Sequence, residues 1–257
     1  MTPKQAFDDT AARARRLLHL HQALVNIRKY RIRKDWKASF CGLMHWPKDS
    51  AIQRVDSKEA IVVLRAGATL GPSDFSSEAL DDLLRSALAF GVSALDRYVH
   101  ERVVKRIVSA LRLRDLSRNQ QDLTIPAVAS RRMAESAVVA QRTGRSFRPA
   151  NEVRKTIQEA LHKRPFQTWR EVDYAFTLIG INDLRNQLQA RYRVGSLQAV
   201  QAQLNSIAAR RNRIVHEGDL VRHERGGQVR RHPIDPRTVR EALDFLDTLV
   251  GHLEHVA

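Results

Sequence analysis

The feature that most constrains this chain is an apolar stripe of helical period from about Glu78 to Leu113. Leu80, Leu84, Ala87, Leu88, Gly91, Leu95, Tyr98, Val99, Val103, Ile107 and Leu111 recur at spacings of three and four, which stacks side chains on one face of a helix. Such a helix is about three times the average length in globular proteins. It predicts a central helix on which other helices pack. Gly91, inside the stripe, marks either a close helix contact or a kink.

The remainder reads as mostly helical, with only 11 Gly and 8 Pro placed between periodic stretches. Helices are expected from Pro3 to about Tyr30, with Leu17, Leu20, Leu24 and Ile27 on one face. Others are expected over 127–142, from an Asn151 cap through Leu161, from near Thr168, and from Asn182 or Asp183 to about Arg191. One more follows a Ser196 cap and stops at Gly218. The last begins with Asp235 as N-cap and Pro236 in first position. Between Asp35 and Thr69 the signal weakens. There "AIVVL" reads as a short strand or a buried helical turn, and periodicity does not arbitrate at this length. A polar stretch around Gly226 and Gly227 reads as a small hairpin.

Lys and Arg total 44 against 28 Asp and Glu, a formal charge of +16. A surface of this sign attracts polyanions and loses them as salt rises, so nucleic acid is the most economical partner. No apolar run approaches the roughly 20 residues of a membrane span. The opening "MTPKQAFDDTAARARRLLHLHQ" is amphipathic and unlike a secretory leader, so a cytoplasmic protein without membrane contact is expected. The single cysteine, Cys41, reads as a small packed side chain, which leaves no internal disulfide and no Cys-based zinc site. His19 and His21 point in different directions on a helix and do not suggest zinc. Trp36, Trp46 and Trp169 read as core or interface anchors.

The most informative short stretch is "RRNRIVHEGDL", from Arg210 to Leu220. At about 100° per residue, Leu197, Val200, Leu204, Ile207, Ile214 and Val215 share one face, and Arg211 falls among them. An always-charged guanidinium in apolar company requires an anion: a carboxylate, a partner chain or a phosphate. Arg210 and Arg213 read as solvent-facing. His216 lies about 140° from Arg211 on an ideal helix. The two share a face only if the helix breaks between them or two chains contribute. Asn212, four residues before His216, lies on its side. Histidine exchanges protons near neutral pH, and arginine binds phosphate bidentately. That combination suits RNA cleavage. Cations at a helix C-terminus are also favoured simply by the helix dipole.

Arg211, Asn212 and His216 match the signature of HEPN-domain proteins: Arg, a polar residue, variable positions, then His. "LLRSALAFGVSALDRYVHERV" resembles the central helix of the HEPN group often called RiboL-PSP, and the final amphipathic helix after a polar loop fits it too. The resemblance spans roughly residues 75 to 257. It implies an all-α HEPN-type helical bundle over 71–257; residues 1–70, which it does not clearly cover, are read as an extra helix and irregular segment, packed or regulatory, with room for a short β element. It further implies a homodimer with metal-independent endoribonuclease activity that needs no cofactor and leaves 2′,3′-cyclic phosphate and 5′-OH ends. Many members are toxins or anti-phage effectors, so an antitoxin or defence-complex protein is an expected partner. Toxins paired with nucleotidyltransferase antitoxins often carry Tyr two residues after the His. Here that position is Gly218, a departure from that mode of control.

Under this resemblance Arg211 is the phosphate ligand, His216 the general acid and base, and Asn212 the orienting or phosphate-contacting residue. Asp96, His100 and Glu101 on the central helix are candidates to pair with Arg211 or orient His216. Arg222, His223, Arg225, Arg230, Arg231 and His232 in the basic loop are candidate contacts to RNA backbone. The competing reading is a non-catalytic helical module that binds nucleic acid or protein within a defence complex, with Arg211 paired internally.

Overall fold

A computed structural model describes residues 1–25, 28–30, 34–48, 51–56, 61–65, 69–113, 118–121, 127–144, 149–221 and 230–256. In chain order the elements are α1 (Pro3–Leu24), β1 (Arg28–Tyr30), α2 (Lys34–Leu43), β2 (Ile52–Asp56), β3 (Ile61–Arg65) and a 3-10 turn (Pro72–Phe75). Then come α3 (Ser77–Leu113), α4 (Arg118–Gln121), α5 (Ala127–Thr143), α6 (Pro149–Leu161), α7 (Trp169–Leu178), α8 (Leu184–Tyr192) and α9 (Gln198–Glu217). A two-stranded ribbon, β4 (Leu220–Val221) with β5 (Arg230–Arg231), precedes α10 (Pro236–Glu254). The protein is an all-α bundle of HEPN type.

The long helix foreseen from its stripe is the axis of the bundle. Ser76 Oγ accepts from the Ala79 N–H at 3.3 Å at its start, satisfying one of the orphan donors there. α1, α6, α7, α9 and α10 all pack on α3. Leu88, Val92, Leu95, Tyr98, Val99 and Val103 are buried within one continuous cluster that takes in Phe176 of α7, Leu204 of α9 and Leu249 of α10. Gly91 marks close contact rather than a kink. A methyl group there would overlap Leu243 of α10, so the absence of a Cβ lets the two helices approach.

Two expectations for the N-terminal region are corrected. The first helix ends at Leu24, and Arg28–Tyr30 instead pairs antiparallel with β2, which pairs antiparallel with β3. "AIVVL" therefore supplies a strand, its ladder partner settling what periodicity left open. The buried face of α1 is Phe7, Ala11, Ala14, Leu18 and His21, while Leu20 is exposed. Small alanines let α1 lie close against α3 and α10, which outweighs the leucine stripe. Cys41 is buried. Trp36 stacks on Phe40, and Trp46 meets the Phe40 ring edge, while Trp169 is in the main core.

Near the C-terminus, Asp235 caps α10 by accepting from the Arg237 and Thr238 N–H groups, both at 3.0 Å. α6 begins at Pro149, so Asn151 lies inside it rather than capping it. The β4–β5 pairing agrees with the expected hairpin, and its Gly226–Gly227 tip lies outside the described residues.

Candidate functional site

α9 positions the motif. Leu204, Ile207 and Ala208 are buried, and Val200 and Ile214 pack against the core, but Val215 is exposed. The helix is anchored from its other side by Asn205, whose Oδ1 accepts the Trp169 N–H at 3.0 Å at the start of α7. α9 continues unbroken through Arg211 and His216 to Glu217 and stops at Gly218, which has φ 61°. Of the two routes by which Arg211 and His216 could share a site, a break between them is therefore absent.

Arg211 is half-buried. Its Nη1 donates to Asn212 Oδ1 at 3.1 Å, and its Nε is buried without an acceptor. Its charge acts on Asp96 of α3. Burial raises the Asp96 carboxyl above the usual carboxylate range, and the Phe166 N–H, His100 and Arg211 all oppose that shift. Phe166 N–H donates to Asp96 Oδ1. His100 Nε2 stands 3.8 Å from the same oxygen, and its ring lies 4.6 Å from the Phe166 ring. Asp96, His100 and Arg211 thus occupy one neighbourhood between α3 and α9. Glu101 turns elsewhere, its Oε2 3.2 Å from Arg154 Nη1 on α6.

His216 is exposed at the end of α9, flanked by exposed Val215 and Leu220, and has no side-chain partner among the described residues. Asn212 is also exposed. In the ribbon, Arg230 is exposed and Arg231 Nη1 donates to Asp82 Oδ1 at 2.7 Å. His232 enters through its backbone, its N–H donating to the Asp219 carbonyl at 2.8 Å. Arg222, His223 and Arg225 lie outside the described residues.

Sequence reasoning missed the ionic knot directly behind the motif. Asp219 follows Gly218 with φ 59° and is fully buried. Its Oδ2 accepts from Arg85 Nε at 3.0 Å and from Arg210 Nη2 at 2.7 Å. Arg85 Nη2 also donates to the His232 carbonyl at 3.0 Å, and Arg210 Nη2 to the Pro233 carbonyl at 3.0 Å. Arg210 is therefore not the solvent-facing residue expected from the wheel. Burial lowers its pKa, with Asp219 opposing and Arg213 and Arg85 reinforcing. The knot ties α3, the end of α9 and the entry to α10 together. One signal was legible: Arg85 interrupts the leucine-rich stripe "DDLLRSALAF", where an arginine requires a buried acceptor.

Comparison with curated proteins and with solved structures gives no match. The model of the RiboL-PSP-HEPN family matches residues 64–255, from β3 through the last turn of α10. That match takes in the central helix, the Arg211–Asn212–His216 motif and the knot behind it, and the chain belongs to the RiboL-PSP-HEPN family.

Proposed function

We propose that the protein is a metal-independent endoribonuclease whose site is completed by a second copy of the chain. The family is one of ribonuclease-type or other nucleic-acid-related function, and HEPN domains bind RNA and often dimerise. Among the described residues no helix is long and apolar enough to cross a membrane. The observation that carries the proposal is the unbroken helix between Arg211 and His216. With about 140° between them, Arg211 turns toward α3 and His216 toward solvent beside exposed Val215 and Leu220. Two α9 ends brought together would place the arginine of one copy beside the histidine of the other. Exposed apolar side chains around His216 support such an apposition.

In this reading a histidine removes the proton from a ribose 2′-OH, whose oxygen attacks the adjacent phosphorus. The bond to the 5′-oxygen breaks as that oxygen is protonated, leaving a 2′,3′-cyclic phosphate and a 5′-OH end. Two symmetry-related His216 side chains divide the two proton transfers. Arg211 stabilises charge on the phosphoryl oxygens, and Asn212 orients either Arg211 or the phosphate. Asp96 and His100 hold Arg211 in place. Arg222, Arg225, Arg230 and Arg231 steer the RNA backbone. The proposed setting is a toxin or anti-phage effector.

The test is cleavage of a mixed RNA pool in EDTA. His216→Ala and Arg211→Ala are each expected to lose activity by about 10²-fold or more. An equal mixture of wild type and His216→Ala, allowed to exchange partners, is expected to keep about a quarter of wild-type activity, because only about a quarter of the dimers retain both histidines. A wild-type protein that binds RNA and cleaves none makes it a binding module instead, a reading favoured by the internal neighbourhood of Arg211 and Asp96. A mixture that keeps about half of the wild-type activity shows instead that each chain acts alone.

A further inference from the structure

We propose that a pocket at the opposite side of α3 binds a phosphorylated small molecule of mononucleotide size. The cavity measures about 490 Å³, within the range of small-molecule sites. One wall is a ridge of α3 carrying Arg102, Lys105, Arg106 and Ser109. The spacing of these residues places all four on one helical face. Arg102 is six residues beyond Asp96, about 240° further round α3, so the pocket and the neighbourhood of Arg211 lie on different faces.

The facing wall is apolar and firm: Ile179, Ile181 and Val256 line it and all are buried. α1 closes one edge with Thr2 and Pro3 at its first turn, which contains no acidic residue. Its positive helix end adds to the field of the three cations.

The charges do not cancel. Among the described residues Glu254 is the single carboxylate on the pocket lining, and it is engaged by Arg102 Nη1 at 3.4 Å. Arg102 is otherwise held by the Val256 carbonyl at 2.7 Å and lies over the Phe176 ring, 5.3 Å from its centroid. It is a fixed cation. Lys105 and Arg106 are exposed and have no ion-pair partner among the described residues. A ligand with a phosphate to meet Lys105 and Arg106, and a flat or apolar body to cover the isoleucines, satisfies both walls. A hydrophobic molecule alone leaves the cations unanswered, and inorganic phosphate alone leaves the apolar wall bare.

A bound molecule would join α1, α3, the turn after α7 and the end of α10, so occupancy stabilises the fold by linkage. The probes are AMP, GMP, CMP, UMP and ribose 5-phosphate, with adenosine and inorganic phosphate as controls, read by calorimetry and thermal melting on the full chain. At least one mononucleotide is expected to bind at or below millimolar concentration, at least tenfold more tightly than adenosine and than inorganic phosphate. Lys105→Ala/Arg106→Ala is expected to weaken it at least tenfold while its unliganded melting point stays that of wild type. No binding by any phosphorylated probe, equal binding of adenosine, or unchanged binding by the double variant overturns the proposal. So does a short RNA that binds with the same dependence on Lys105 and Arg106 and displaces the mononucleotide, because the ridge is then part of an RNA track. RNA cleavage is not among the readouts, so the result is independent of the proposed nuclease activity.

Discussion

Arg210 Nη2 lies 2.7 Å from Asp219 Oδ2, and this contact folds the chain leaving α9 back against the helix it has just left. Arg85 reaches the same oxygen from α3. One fully buried carboxylate thereby receives two arginines, with its Oδ1 left unpaired.

Removing the carboxylate leaves two guanidiniums facing each other with no anion between them. Asp219→Ala is expected to destabilise the fold by about 3–5 kcal/mol, the usual cost of breaking a buried ion pair from one side. Asp219→Asn keeps an acceptor and tolerates the left-handed backbone, so it is expected to lose less. Urea denaturation of the two variants checks the order. Equal stability of Asp219→Ala and wild type would show that the knot contributes nothing.

Gly91 and Leu243 form a size-matched contact between α3 and α10. Gly91→Ala gains about 1 kcal/mol of helix propensity but overpacks a closed interface at about 1–3 kcal/mol. The expected net result is a loss of about 1 kcal/mol. Because the two side chains compete for one volume, Gly91→Ala is expected to cost less in a Leu243→Ala background. A double-mutant cycle measures this, and additive losses would refute the contact.

His21 is buried on α1, and neither ring nitrogen has a hydrogen-bond partner, with Asp81 3.6 Å from Nε2. Burial lowers its pKa below the ordinary value, against the pull of Asp81. The unfolded chain therefore takes up the proton first. The stabilisation is complete above about pH 6.5 and is lost as pH falls through the folded pKa. The melting temperature is expected to drop on acidification below that point. His252, lowered by burial and by Arg191 and His255, acts in the same sense. His21→Leu is thus expected to reduce the slope without abolishing it. An unchanged slope would assign the effect elsewhere.

The ribbon arginines differ in what they already hold. Arg230 is exposed, whereas Arg231 is paired with Asp82. If both meet RNA phosphates, Arg230→Ala and Arg231→Ala each lower the salt slope of RNA binding by about one. Neither is expected to change the melting temperature appreciably, since an exposed ion pair contributes at most about 1 kcal/mol. An RNA affinity with unaltered salt dependence in both variants would remove these residues from the interface.

The sequence by itself determined the helical class, the length of α3, the cap of α10 and the Arg211–Asn212–His216 motif. These follow from periodicity, local capping chemistry and spacing, which need no knowledge of what lies across the core. It also revealed Arg211 as an arginine on an apolar face, because a helix wheel requires only local geometry. The buried face of α1, the strand identity of Ile61–Arg65 and the true environment of Arg210 were decided by tertiary structure. Each depends on a partner far along the chain: α3 and α10 for α1, β2 for the strand, and Asp219 with Arg85 for Arg210. The wheel assigned Arg210 to solvent because it cannot show that the chain after Gly218 turns back and brings a buried carboxylate to that side. Packing, by joining residues as distant as Arg85 and Asp219, converted a basic helix end into a cross-linked one.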